Sequence, residues 1–319
     1  MAFKKNLFIT IAVAAVFYLA ASAWMGWERI LTALSRFHWW ILPFCLLLSL
    51  ANYIVRFTKW HYYLSLLNIS LDRRISLRIF LSGLVMSATP GKFGEVFKSY
   101  LLKNVNGVPM SRSAPVVLAE RFTDFTALFV MSLLGVTLLP NGFTVFAVSL
   151  GIIVLILVLA MWKSAAEKII ACLQGMPMVG KHTDKIRAAY ESIYRLIAPG
   201  PLAWATIISI ASWFCECIAF YLVLWGFGSP LPMLPATFIY AFATILGALL
   251  MTPGGIGPTE GAIGGLLILL YSVPEGIAAS ATLLIRVCTL WFAVAVGLLA
   301  LALSAEVFNR SPEDLEVRE

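Results

Sequence analysis

Two short segments of this chain combine a helix breaker, glycines and a nearby carboxylate. They are Thr89-Pro90-Gly91-Lys92-Phe93-Gly94-Glu95 and Thr252-Pro253-Gly254-Gly255-Ile256-Gly257, the latter followed by Glu260. Proline has no amide to give a helix, and glycine tolerates positive φ, so each segment should end one helix and let another begin. A helix that begins there presents unpaired amides and the positive end of its dipole. Such an end takes anions, phosphate or carboxylate most naturally. Thr89, Gly91 and Gly94 in the first break, and Thr252, Gly254, Gly255 and Gly257 in the second, are therefore candidate anion-binding positions. Cations stand near them in sequence: Lys92 and Lys98 at the first break, and Arg121 and Arg286 in the apolar stretch after each break. Glu95, Glu120, Asp124, Glu216 and Glu260 lie in or beside apolar runs as well. Their expected role is to orient the cations or carry protons. The bland alternative is a set of ion pairs that hold helices together. Gly261 and Gly265 read best as close helix packing through small residues.

The two segments also repeat each other. Arg121 lies 31 residues after Pro90, and Arg286 lies 33 residues after Pro253. A chance Thr-Pro-Gly pair is easy to imagine, but matching downstream arginines at nearly equal spacing are not. The chain therefore reads as two related halves offset by 163 to 165 residues.

The elements that must position these residues are set by the solvent. The chain has 319 residues; 61% are hydrophobic, 12% are charged, and the mean hydropathy is +0.92. A water-soluble fold has to cover itself with polar groups, and this chain has too few. Apolar runs of about 20 residues fit helices that cross a bilayer, and their lack of alternation excludes barrel strands. A charge at the bilayer centre costs about 2.5–3.5 kcal/mol on insertion scales, so the buried charges should pair or line a wet cavity.

The spans are expected at 6–26, 39–66, 114–139, 143–162, 201–227 and 277–304. A short interfacial helix marked by Trp27, Trp39 and Trp40 should cover 27–38, and Ile186, Ala189, Ile193 and Leu196 predict an amphipathic helix on the membrane surface. Residues 79–102 and 235–271 are interrupted and read as re-entrant hairpins. The fold class is all-α: a polytopic membrane protein with inverted-topology repeats, each carrying one such hairpin. A single transmembrane domain covers 1–305, with halves at about 39–139 and 201–304. The span 143–162 and a basic linker, 163–200, join them, and 306–319 form a polar tail. Three spans separate the hairpins, so the second should enter from the opposite side. Lys4, Lys5, the basic cluster at 56–78, Lys103, Arg112 and the cluster at 163–195 place both termini in the cytoplasm. An uncleaved first helix is expected rather than a signal peptide.

Several function classes fall away. The net charge of +7 reads as topological, because the basic residues sit between apolar runs and no nucleic-acid module is present. The cysteines, Cys45, Cys172, Cys215, Cys217 and Cys288, show no metal-ligand spacing. His38, His61 and His182 suggest no catalytic constellation, and there is no P-loop. No metal, cofactor or catalytic residue is expected.

At the residues singled out, the sequence resembles the transmembrane region of lysylphosphatidylglycerol synthases, a flippase-like membrane family. The matching segments are Pro90 to Glu95 running into Tyr100-Leu101-Leu102, then Glu120-Arg121-Phe122-Thr123-Asp124, Pro253 to Gly257 with Glu260-Gly261, and Arg286 with Gly297. The resemblance covers nearly the whole chain. It implies an inverted-repeat helical fold in a cell membrane and the translocation of lipids. In two-part family members this region is thought to flip an aminoacylated phospholipid made by an attached cytosolic domain. That domain has no counterpart in these residues, so aminoacyl transfer is not expected. Pro258-Thr259 stands where relatives often carry a branched and a basic residue, which lowers the charge expected at the second tip. The resulting expectation is a lipid translocator that binds an anionic or phosphate-bearing headgroup at mid-membrane, between the hairpin tips. The alternative is a non-transporting partner that presents a lipid to a separate enzyme. A second copy of the chain and such a lipid-modifying enzyme are the further partners left open.

Overall fold

A computed structural model describes residues 27–89, 93–138, 142–164, 167–168, 172 and 183–308. The expected first span, the Pro90-Gly91-Lys92 tip, much of the 163–200 linker and the tail beyond 308 fall outside these residues. All the described elements are helical. A short amphipathic helix, α1 (Trp27–Ser35), leads into α2 (Leu42–Leu66). Helix α3 (Arg73–Gly83) tightens into a 3₁₀ segment, Leu84–Ala88, before the first break. The chain re-enters helix at Phe93–Val96 and continues as α4 (Phe97–Asn106). Then come α5 (Met110–Ser132), α6 (Gly142–Met161), α7 (Thr183–Leu196) and α8 (Pro199–Gly226). Helices α9 (Met233–Leu249) and α10 (Pro258–Tyr271) flank the second break, and α11 (Glu275–Arg286) passes through a π turn, Val287–Trp291, into α12 (Phe292–Leu303).

Three of the described helical stretches are long and apolar enough to cross a membrane: 39–66, 199–226 and 275–303. Helices α9 and α10 are apolar but shorter. Helix α5 has the length of a span, yet Arg112, Glu120, Arg121 and Asp124 interrupt its hydrophobicity.

The chain uses the same order of elements twice. A long helix, a six-residue loop, a helix, a break, a helix, a three-residue turn and another long helix occur at 42–132 and again at 199–303. The connections agree in detail. Asn68 N–H donates to Ser65 O and Ile69 N–H to Leu64 O; Gly228 N–H donates to Trp225 O and Ser229 N–H to Leu224 O. Asn68 and Gly228 both have positive φ. Gly107 and Ser272 end α4 and α10 in the left-handed region, and Pro109 and Pro274 precede α5 and α11. Left-handed caps satisfy the last carbonyls of a helix, and proline then prevents its continuation. Asp72 starts α3 differently: its carboxylate accepts from the amides of Arg74 and Ile75.

Two apolar cores hold the body together. One gathers Cys45, Phe220, Phe238, Ile263 and Ile285 from α2, α8, α9, α10 and α11. The other gathers Trp60, Phe80, Leu102, Val116 and Ala293 from α2, α3, α4, α5 and α12. On α5 the second core ends at Ala119 and the first begins at Ala127. The charged stretch 120–124 lies between them. Helix α12 approaches the first broken segment very closely: a Cβ on Gly297 would stand 2.2 Å from Val85 N. Helix α7 is amphipathic as expected, but it buries Ser192 and Leu196 while packing on α5 and does not simply float on the membrane surface.

Candidate functional site

The site is built from α5 outward. Glu120 and Asp124 are four residues apart and share a face, while Arg121 lies beside them, only partly buried. Helix α2 meets this face with a polar stripe of Ser49, Asn52, Arg56, Lys59 and Tyr63, all buried. The helix after the first break adds Glu95 and Lys98, one turn apart and buried.

These side chains form one connected network. Lys59 Nζ donates to Asp124 Oδ1 at 2.6 Å, to Ser209 Oγ at 2.7 Å and to Thr123 Oγ1 at 3.3 Å. Lys98 Nζ donates to Glu120 Oε2 at 2.5 Å and lies 4.7 Å from the Trp60 ring centroid. Arg121 joins Glu95 at 2.9 Å and Asp124 at 3.1 Å. Arg56 stands 3.6 Å from Asp124 and 3.7 Å from Glu95. An uncompensated buried ion costs several kcal/mol, and each ion here has an opposite charge within reach.

The second half carries a simpler version. Arg286 Nε donates to Glu260 Oε1 at 2.6 Å, and its Nη2 donates to the Gly254 carbonyl. Glu260 Oε2 accepts from the Gly257 amide at 2.6 Å. The first-half pair Glu95–Arg121 and the second-half pair Glu260–Arg286 have the same sequence separation, 26 residues. Glu216 on α8 accepts from Tyr240 Oη at 2.6 Å.

The two breaks touch. Gly254 N lies 3.5 Å from Thr89 O. A Cβ on Gly254 would lie 3.3 Å from Ala88 Cα, and its φ is +60°, so the contact requires glycine on two counts. Nearby, helix α2 donates to carbonyls of the π turn: Ser49 Oγ to Cys288 O at 2.7 Å and Tyr53 Oη to Thr289 O at 3.1 Å.

A cavity of about 380 Å³ lies between α5, α9 and the second break. Arg121, Asp124, Thr252, Gly254, Gly255 and Arg286 line its polar part, and Val117, Leu118, Phe122, Phe125 and Leu128 line the rest. Leu118 and Ala248 at its rim are exposed, so it opens on an apolar surface. A polar end with an apolar flank is the shape of an amphiphile. Thr252 Oγ1 and Arg121 Nε have no hydrogen-bond partner among the described residues.

Of the residues singled out from sequence, this cavity gathers Arg121, Arg286, Asp124, Thr252, Gly254 and Gly255. Lys98, Glu95 and Glu120 are held in the buried network instead. Glu216, Glu260 and Gly257 are placed by the hydrogen bonds given above. Thr89 Oγ1 donates to Met86 O, and Gly94 lies in the 3₁₀ turn after the first break. Gly91 and Lys92 fall outside the described residues. Sequence reasoning assigned Arg56 and Lys59 to a cytoplasmic basic cluster; the structure corrects this. Both are buried, because α2 continues unbroken to Leu66 and turns them toward α5. The signal was available: Ser49, Asn52, Arg56, Lys59 and Tyr63 recur at steps of three and four, which marks one polar helix face. Ser209 and Tyr240 carried no such signal.

The model of a family described as "Lysylphosphatidylglycerol synthase TM region" matches residues 7–297. A UPF0104 membrane protein of Methanothermobacter thermautotrophicus is 25% identical over 95% of both chains. A second UPF0104 membrane protein of that organism is 27% identical over 69% of this chain and 71% of its own length. One from Methanocaldococcus jannaschii is 21% identical over 92% of this chain and 93% of its own.

Proposed function

Because the chain belongs to the family of lysylphosphatidylglycerol synthase transmembrane regions, and so is a membrane protein, we propose that it moves a phosphate-bearing lipid across the bilayer through the cavity beside the second break. The observation that carries this reading is the meeting of Arg121 and Arg286, one from each half, in one cavity that opens on an apolar surface. Two guanidinium groups suit a phosphate, which accepts their parallel N–H donors. The apolar flank would receive the start of the acyl chains. No step of this requires bond-making, so the reading is transport and not catalysis.

The two halves are proposed to be inverted repeats with re-entrant breaks, in a cell membrane with both termini cytoplasmic. Support comes from the repeated order of elements, the matching loop hydrogen bonds and the twin Glu–Arg pairs. Between the breaks run α5, α6 and α8, an odd number of long helices, and three crossings would turn the second half over. Repeats of this kind place a binding site at mid-membrane and let one half rock against the other. The buried network would give the first half the rigidity that rocking needs.

The test is lipid movement in liposomes. The purified chain should accelerate loss of protected fluorescent phospholipid to an external quencher, and Arg121→Ala and Arg286→Ala should each reduce that rate at least about tenfold, the scale of losing a charge-assisted contact. Rates unchanged in both variants would remove the cavity from the mechanism. Lipid binding without movement would favour a partner that presents lipid to a separate enzyme.

A further inference from the structure

We propose that Glu260 is the chain's own stand-in for the ligand anion: it holds the Arg286 guanidinium that a phosphate in the cavity would take, and it swings away when the phosphate binds. This rests on the reading of the cavity as a headgroup site. The Glu260 carboxylate bridges two donors of different origin, the Gly257 amide at the start of α10 and the Arg286 guanidinium, each at 2.6 Å. A helix-start amide and an arginine are the donors that proteins use for phosphate. Arg286 also lines the cavity, so an incoming phosphate and Glu260 compete for one cation, and two anions on that cation repel each other.

The first half holds the equivalent glutamate, 26 residues before its arginine, but in different surroundings. Glu95 lies 2.9 Å from Arg121, 3.6 Å from Lys98 and 3.7 Å from Arg56, and its side chain is 2% exposed. Moving it would take the nearest carboxylate from Arg121 and a second carboxylate from the buried Lys98 and Arg56. Glu260 is 15% exposed at the side chain. Releasing Glu260 hands Arg286 to the phosphate, so the charge stays compensated. One glutamate is therefore a fixed part of the network, and the other is an exchangeable occupant of the ligand's place.

The test is binding by the purified full chain in detergent, titrated with dihexanoyl phosphatidic acid. Glu260→Gln removes the competing charge and should bind about tenfold tighter than the natural chain, within the usual range of coupling between two ligands. Glu95→Gln should bind no tighter. Where Glu260→Gln does not fold, Glu260→Ala decides instead, because it too removes the competing carboxylate and binding should again tighten. Equal or weaker binding by a folded Glu260 variant, while the natural chain binds, overturns the inference and leaves the headgroup reading standing. Absence of binding by every chain overturns both. Inorganic phosphate titrated in parallel separates the sources: the same gain with phosphate bound as tightly as lipid supports the competition but overturns the headgroup reading.

Discussion

At the scale of single residues, the charged side chains divide into a locked set and a ligand-facing set. Lys59 is the clearest member of the first: its ammonium is fully buried and held by Asp124, Ser209 and Thr123. Lys59→Met should destabilise the protein by about 3–5 kcal/mol, because it leaves Asp124 short of its closest cation. Thermal unfolding in detergent measures this. The double change Lys59→Met with Asp124→Leu should recover part of the loss, and no recovery would mean that the pair is not the source of the cost. Much of this scale was legible beforehand. Arg121, Asp124 and Arg286 stood out as charges in apolar runs, and they do meet in one cavity. Arg56 and Lys59 were misassigned because they fall near the end of an apolar run, where Lys and Arg usually mark the membrane edge. Periodicity along α2 outranks that rule here. Charge alone could not separate Lys98, sealed against Trp60 and Glu120, from Arg121 at the cavity wall.

At the scale of elements, interruptions position the site. Both breaks were legible from Pro and Gly, since those residues act on the backbone directly. The π turn was not, because Val287-Cys288-Thr289-Leu290-Trp291 contains no breaker; it is stabilised from outside by Ser49 and Tyr53. Turns of this kind are often found at functional sites, and this one begins directly after Arg286. The twin glutamates were visible but misaligned. Counting from the glycines hides the match, whereas Glu95 to Glu260 and Arg121 to Arg286 are both 165 residues, so the second break is two residues longer. The close approach of α12 to the first broken segment gives a test at this scale. Gly297→Ala would force Val85 and Leu84 away, and overpacking of this kind costs about 1–3 kcal/mol. The melting temperature in detergent should fall, and an unchanged value would deny the close packing.

At the scale of the whole molecule, the repeat predicts opposite faces for equivalent loops. Ser70 and Ser229 sit in the matching loops 67–72 and 227–232. On a background without Cys172 and Cys215, Ser70→Cys and Ser229→Cys should react with an impermeant maleimide from opposite sides of the membrane. Reaction from one side for both would exclude the inverted arrangement. Composition had already fixed a membrane-spanning helical body. The two cores and the charged layer between them could not be read in advance, because they depend on which helix faces meet and not on any one helix.

That charged layer has an electrical consequence. Arg56, Lys59, Lys98, Arg121 and Arg286 are balanced, among the described residues, by Glu95, Glu120, Asp124, Glu216 and Glu260. A transmembrane voltage does work of about 2.3 kcal/mol per elementary charge per 100 mV. The balance holds only for the two halves together: four cations meet three carboxylates in the first half, and one cation meets two carboxylates in the second. Rocking of one half against the other would therefore move protein charge through part of the field, whatever the cargo carries. Turnover followed across a voltage-clamped planar bilayer should then depend on voltage, and a rate indifferent to voltage would count against rocking.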